Sequence, residues 1–296
     1  MDAIAAQLSG MADGLYRIAG LLQSEKMPKP TRIIPMVEVN DPDRQYRDGM
    51  TQLETCWAGL EHWGRFCDTV IVTTFLDQVS DLYGRIGKGT KLSIIGGFKT
   101  TGFSVAFHDD RLWEEVATHA ADVASLTGNR TVALDNETAL EPFMRDKEEL
   151  DLRRLWAALY DVPQDIDWIL AEPHIHKTSA IPNQVQRTTE LVSCMARAFP
   201  RAKFISPYSG YADRPPSSPV YNDLREGLRI ASGGRMVERL WVHPTPEDGP
   251  HPFWVPDQVA ATSAELGGES IIIYPGLSNF IEVGRMMAEL HKGQTT

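Results

Sequence analysis

The sequence predicts a single (β/α)8 barrel, and three observations carry that prediction. Eight short runs are rich in β-branched and aromatic residues. Between them lie segments whose apolar residues recur at steps of three and four, the period of an amphipathic helix. The starts of the runs are mostly 31 to 39 residues apart, the repeat of strand and helix in a parallel barrel. An open doubly wound sheet is the main competitor, but no glycine-rich phosphate loop follows the first run.

The first predicted strand is RIIPMVEVN, from Arg32 to Asn40. TVIVTTF follows from Thr69, KLSIIGG from Lys91 and RTVALDNE from Arg130. The second half of the barrel reads DWILAEPH from Asp167, AKFISPY from Ala202, RLWVHP from Arg239 and ESIIIYPG from Glu269. Helical periodicity marks Tyr46 to Phe66, Arg111 to Leu126, Glu149 to Val162 and Val185 to Phe199. It returns over Val220 to Ser232, Pro256 to Gly267 and Asn279 to His291, and is weaker over Leu76 to Gly87. The Ala/Leu/Ile-rich start reads as an amphipathic helix up to about Gln23. The expected organisation is therefore an N-terminal helical extension, 1–30, and a barrel domain, 31–296.

Composition narrows the class. The chain of 296 residues is 42% hydrophobic and 23% charged, enough for a large core. A net charge of −11 argues against a broad nucleic-acid footprint, which needs a basic face. Cys56, Cys67 and Cys194 form neither a disulfide framework nor a CxxC pattern. No apolar run approaches the roughly 20 residues of a membrane span, and no basic n-region precedes one. A cytoplasmic protein without a cofactor, acting on a carbohydrate or other small polar substrate, is the expectation.

In a barrel of this kind the chemistry sits at the C-terminal strand ends, and here those ends are polar. Strand one offers Glu38 and Asn40, strand three Lys99, and strand four Asp135 and Glu137. Strand five offers Glu172, His174 and His176, strand six Ser206 and Tyr208, strand seven His243, and strand eight Tyr274. Alternate residues share a face, which puts Asp135 in a row with Thr131, Ala133 and Glu137, and Leu170 in a row with Glu172, His174 and His176. A polar strand end is by itself only a meeting with solvent. Convergence of such ends from several strands points to a pocket.

Three chemical readings stand. The first is glycoside hydrolysis, which needs a protonated acid at the leaving oxygen and a second group for the oxocarbenium-like centre. Glu137 suits the acid, and Asp135 lies close enough to tune it by like-charge repulsion. Glu172 or Glu38 is the second carboxylate, Tyr208 and His174 contact the substrate, and Trp254 in GPHPFWVP is the candidate for stacking on a sugar ring. The second reading is a divalent metal held by Glu172, His174, His176 and His243, as in a sugar isomerase or epimerase. The third is a barrel that binds carbohydrate without catalysis.

The stretch from KLSIIGGF to TVALDNE resembles the chitinase-type glycoside hydrolases of family 18. That family carries an S-x-G-G third strand and a D-G-x-D-x-D-x-E fourth strand. Here the third strand reads SIIGG, and the final D-x-E is Asp135 and Glu137, while the earlier Asp positions fall on Arg130 and Ala133. The resemblance implies Glu137 as the acid, Asp135 as the orienting carboxylate, Tyr208 on strand six, and Tyr274 in place of the sugar-platform Trp of strand eight. Asn136-Glu137 is also similar to the Asn-Glu acid/base of the large retaining β-glycosidase clan. The nucleophile of that clan lies at the tip of strand seven, where this chain has His243, with Glu247 four residues beyond.

Overall fold

The computed structural model describes residues 32–99, 110–135, 165–171, 184–206, 226–246, 253–262 and 270–294. Eight parallel strands close into a barrel in chain order, β1 pairing with β8. They are β1 (Arg32–Glu38), β2 (Thr69–Phe75), β3 (Ser93–Lys99), β4 (Thr131–Asp135), β5 (Asp167–Ala171), β6 (Lys203–Ser206), β7 (Met236–Trp241) and β8 (Ser270–Tyr274). The described helices between them are α1 (Gln52–Trp63), α2 (Val79–Ile86), α3 (Asp110–Thr127), α4 (Gln184–Ala198), α5 (Pro256–Thr262) and α6 (Gly276–Gln294). A further helical turn covers 226–231. The predicted N-terminal helix and the predicted helix from Glu149 to Val162 lie outside the described residues.

Alternation along each strand builds two cores. One row fills the lumen: Ile34, Met36, Ile71, Ile95, Ala133, Ile169, Ile205, Val237 and Ile272. The other row, with Val37, Val72, Phe98, Val132, Leu170 and Leu240 among it, packs against the helices. Burial on both faces explains why the strands read as continuous apolar runs rather than as alternating ones. The lumen is thus filled by apolar side chains through its lower part.

Local features hold the mouth in place. Helix α1 starts with a capping box: the Glu54 N–H donates to Thr51 Oγ1 at 3.2 Å, and the Thr51 N–H to Glu54 Oε2 at 2.7 Å. Gln52 Oε1 accepts the N–H groups of Asn40 and Asp41, which ties the β1 exit to that helix start. Between α1 and α6, Gly59 and Gly284 have no Cβ because the rings of Phe280 and Trp63 occupy that space. The Trp63 indole N–H donates to the Phe280 carbonyl at 3.1 Å, closing the helical ring where the barrel begins and ends.

Two sequence expectations change here. Strand seven begins at Met236, three residues before the predicted Arg239. Leu170 packs in the outer layer while Ile169 faces the lumen, so the row Leu170, Glu172, His174, His176 is not a lumen row over the described part of β5.

Candidate active site at the barrel mouth

Glu38 ends β1 two residues after Met36, and Lys99 ends β3 four residues after Ile95, so both follow the lumen rows. Their charges meet across the intervening β2, Lys99 Nζ lying 2.5 Å from Glu38 Oε2. The pair is mostly enclosed, with side-chain exposures of 15% and 21%. Lys99 also lies over the Phe75 ring, 5.5 Å from its centroid. In the β3–β4 register Lys99 is directly opposite Asp135.

Below this pair stands Thr73, the register partner of both Glu38 and Gly97. Gly97 is glycine for a steric reason: a Cβ there would lie 2.6 Å from the Ala133 carbonyl oxygen and 2.9 Å from Thr73 Cγ2. From the helix layer Tyr83 fixes the same level. Its hydroxyl accepts the Gly97 N–H at 2.7 Å and lies 2.6 Å from the carbonyl oxygens of Val72 and Gly97. Burial pushes that phenol's pKa up.

The wall formed by β7 and β8, next to β1, is aromatic. Trp241 on β7 is the register partner of Tyr274 on β8, and their rings meet edge-on at 6.4 Å. Phe253 stacks on Trp241 at 6.0 Å and on the His243 imidazole at 3.9 Å. The segment bearing Phe253 is pinned to β7, since the Trp254 N–H donates to the Trp241 carbonyl and the His243 N–H to the Trp254 carbonyl. Trp241, His243, Phe253 and Tyr274 are all partly exposed.

The structure corrects one assignment. Trp254 is 3% exposed and belongs to the outer core, so its ring has no free face for a sugar. Trp241, at the end of β7, is the partly exposed tryptophan at the mouth. Sequence reasoning also passed over Arg239, a lumen-row residue buried at 6% exposure. Glu38 and Tyr274 end β1 and β8, and His243 lies two residues beyond the end of β7. Asp135 ends β4 beyond the lumen residue Ala133. Glu137, Glu172, His174, His176 and Tyr208 lie outside the described residues. Among the described residues no group of three or more His, Cys, Asp or Glu side chains is placed to hold a metal ion, and no helix is long and apolar enough to cross a membrane.

The mouth therefore joins a carboxylate–ammonium pair to an aromatic wall, with Thr73 and Arg239 buried beneath it. Such a constellation can grip a polyhydroxylated molecule and move a proton on it.

No protein-family model and no curated protein sequence matches the chain. Solved structures do share its architecture. A D-allulose 3-epimerase from Methylomonas sp., in complex with D-allulose, is 12% identical, with a TM-score of 0.51 over 90% of this chain and 99% of that one. The structure of SacUVDE is also 12% identical, covers the same shares and has a TM-score of 0.48. A family 2 AP endonuclease from Brucella melitensis is 13% identical, with a TM-score of 0.48 over 84% of this chain and 92% of that one. At these identities the likeness concerns the fold.

Proposed function

We propose that the protein is a carbohydrate-active enzyme, a glycoside hydrolase with Glu137 as general acid and Glu38 as the second carboxylate. The observation that carries this reading is the Lys99–Glu38 ion pair, which sets one carboxylate at the mouth on β1, the strand next to the β8 end of the Trp241–Tyr274 wall. In this scheme the aromatic wall seats the apolar face of a sugar ring. Glu137 protonates the departing glycosidic oxygen, and ion-paired Glu38 offsets the positive charge that develops at the anomeric carbon. Asp135, opposite Lys99 in the register, orients and tunes the acid.

The test is Glu137→Gln on a panel of aryl glycosides. Turnover with poor leaving groups should fall by about 10²–10⁴-fold, the usual contribution of general acid catalysis, and far less with good leaving groups. Unchanged turnover on both would remove Glu137 from this role.

A second reading draws on the same pair. A carboxylate beside an ammonium can take the proton α to a sugar carbonyl while the ammonium holds the developing oxyanion, the chemistry of an isomerase or epimerase. The alternative metal-assisted form of that reaction would use Glu172, His174, His176 and His243. Ketose incubated with enzyme in deuterium oxide separates the readings. Deuterium appearing on carbon supports the isomerase, and its loss on chelation supports the metal form. A hydrolase leaves the carbon-bound hydrogens in place and is indifferent to chelation.

A further inference from the structure

The loop between β1 and α1 folds into a small hairpin at the C-terminal face of the barrel, where the βα loops gather. Its tip reads Arg47-Asp48-Gly49-Met50, and the Met50 N–H donates to the Arg47 carbonyl at 2.9 Å. Asp48 and Gly49 both lie in the left-handed region, with φ of 54° and 77°, as a two-residue hairpin turn of the primed type requires. Gln45 pairs with Thr51 across the hairpin, and the Tyr46 N–H donates to the Met50 carbonyl at 2.8 Å. The base of the hairpin is fixed as well. Gln52 Oε1 holds the Asn40 and Asp41 N–H groups, and Arg85 on α2 donates to both carboxylate oxygens of Asp43, at 2.8 and 3.0 Å.

This braced loop carries an exposed aromatic ring. Among the described residues only Tyr46 and Leu126 are large hydrophobic side chains left exposed, and Tyr46 stands at 38%. The Arg47 guanidinium lies 5.9 Å from the centre of the Tyr46 ring and donates to the Ser278 carbonyl at 3.3 Å. Ser278 lies just beyond Tyr274, in the first turn of α6, so that bond ties the hairpin to the strand exit that bears the aromatic wall. Aromatic residues therefore follow one another along the rim: Trp241 on β7, Tyr274 on β8 and Tyr46 on the loop after β1. A lone exposed tyrosine needs no explanation. One held by a tight turn, a bridge and two anchors, beside an aromatic wall, is preorganised for a ligand, because the loop's freedom is lost on folding and not on binding.

We infer that Tyr46 and Arg47 form an outer sugar subsite, and that the substrate is an oligosaccharide rather than a single sugar. The inference rests on the mouth being a carbohydrate site, as in the function proposed above, and adds the length of the substrate. One unit of the chain sits against Trp241 and Tyr274, and a later unit lays the C–H face of its ring on Tyr46. Arg47 brings N–H donors for the hydroxyl oxygens of that later unit.

Isothermal titration of the full chain tests this with two series of sugars, one running from glucose to cellotetraose and the other from N-acetylglucosamine to chitotetraose. In one series the tetrasaccharide should bind at least about fivefold more tightly than the monosaccharide. Tyr46→Ala should weaken the tetrasaccharide about threefold to tenfold, the scale of one lost stacking contact, and leave the monosaccharide unchanged. Tyr46→Phe keeps the ring and should bind as the native chain does. Affinity that does not rise with length in either series overturns the subsite. So does an unchanged tetrasaccharide affinity in Tyr46→Ala, an equal loss for tetrasaccharide and monosaccharide, or a Tyr46→Phe protein as weak as Tyr46→Ala. Monosaccharide binding that survives such a result leaves the mouth as a carbohydrate site, whereas no binding of any sugar removes that reading together with the subsite. Turnover in Glu137→Gln bears on the acid alone.

Discussion

Lys99 and Glu38 belong to strands that do not touch, yet their charged atoms lie 2.5 Å apart over the top of β2. The contact exists because barrel shear brings the ends of β1 and β3 to one height, and because the β2 residue beneath them is the small Thr73. It makes the pair a feature of the barrel's closure rather than of local sequence, and it places both charges where a (β/α)8 barrel keeps its chemistry.

Trp241 and Trp254 should respond in opposite ways to truncation. Trp254→Ala empties a site in the outer core and should cost about 3–5 kcal/mol in a denaturant melt. Trp241→Ala leaves the fold nearly intact and should raise KM about tenfold on a sugar substrate, the scale of a lost aromatic stacking contact. A Trp241→Ala protein with unchanged KM would remove the aromatic wall from substrate binding.

The level of Gly97 should tolerate little change. Gly97→Ala drives a methyl to within 2.6 Å of the Ala133 carbonyl oxygen, and should cost about 1–3 kcal/mol through strain. Tyr83→Phe keeps the ring and strands the Gly97 N–H, which is now held at 2.7 Å by the hydroxyl. A loss of about 1–3 kcal/mol is expected in urea unfolding. Both substitutions act on the backbone that carries Lys99 and Thr73, so turnover should fall with stability.

The thiols give a pH signature. Burial pushes the pKa values of Cys56 and Cys67 up to about 12 from an ordinary 9.0. Between those values the unfolded thiol ionises while the folded one stays protonated, so folding loses ground as pH rises above about 9. For fully buried Cys56 the loss approaches about 1.4 kcal/mol per pH unit. Urea midpoints measured from pH 8 to 11 should decline, and Cys56→Ala should flatten the decline. At pH 8 the native protein should react slowly with Ellman's reagent at Cys56, and quickly once unfolded.

Much of this was legible in the sequence, for identifiable reasons. Parallel strands buried on both faces leave uninterrupted Val/Ile runs such as TVIVTTF and SIIIY, and the periodic stretches between them read as helices. The strand ends named Glu38, Lys99, Asp135, His243 and Tyr274. What the sequence could not supply was the wrapping of one strand end over another. The sequence pattern places the start of strand seven at Arg239, whereas β7 begins at Met236 and Glu238 within it is buried. Arg239 therefore looked like a strand's solvent end when it lies inside the lumen. Trp254 looked like a platform because its loop is rich in Pro and aromatic residues, but a bridge to Val242 draws it into the core. The pairing of Lys99 with Glu38 needs the shear, which no linear pattern records.

The most direct measurement is turnover and stability of the double variant Glu38→Gln, Lys99→Met. Removing both charges together leaves no unpaired ion, and such replacements are often neutral or stabilising. The variant should stay folded, with an unfolding free energy within about 1 kcal/mol of the native chain, while each single variant loses about 1–3 kcal/mol by stranding its partner. If the mouth is the active site, turnover of the folded double variant should fall at least about a hundredfold. A folded double variant with native turnover would contradict the account, because the reaction would then have to run without the charged pair at its centre.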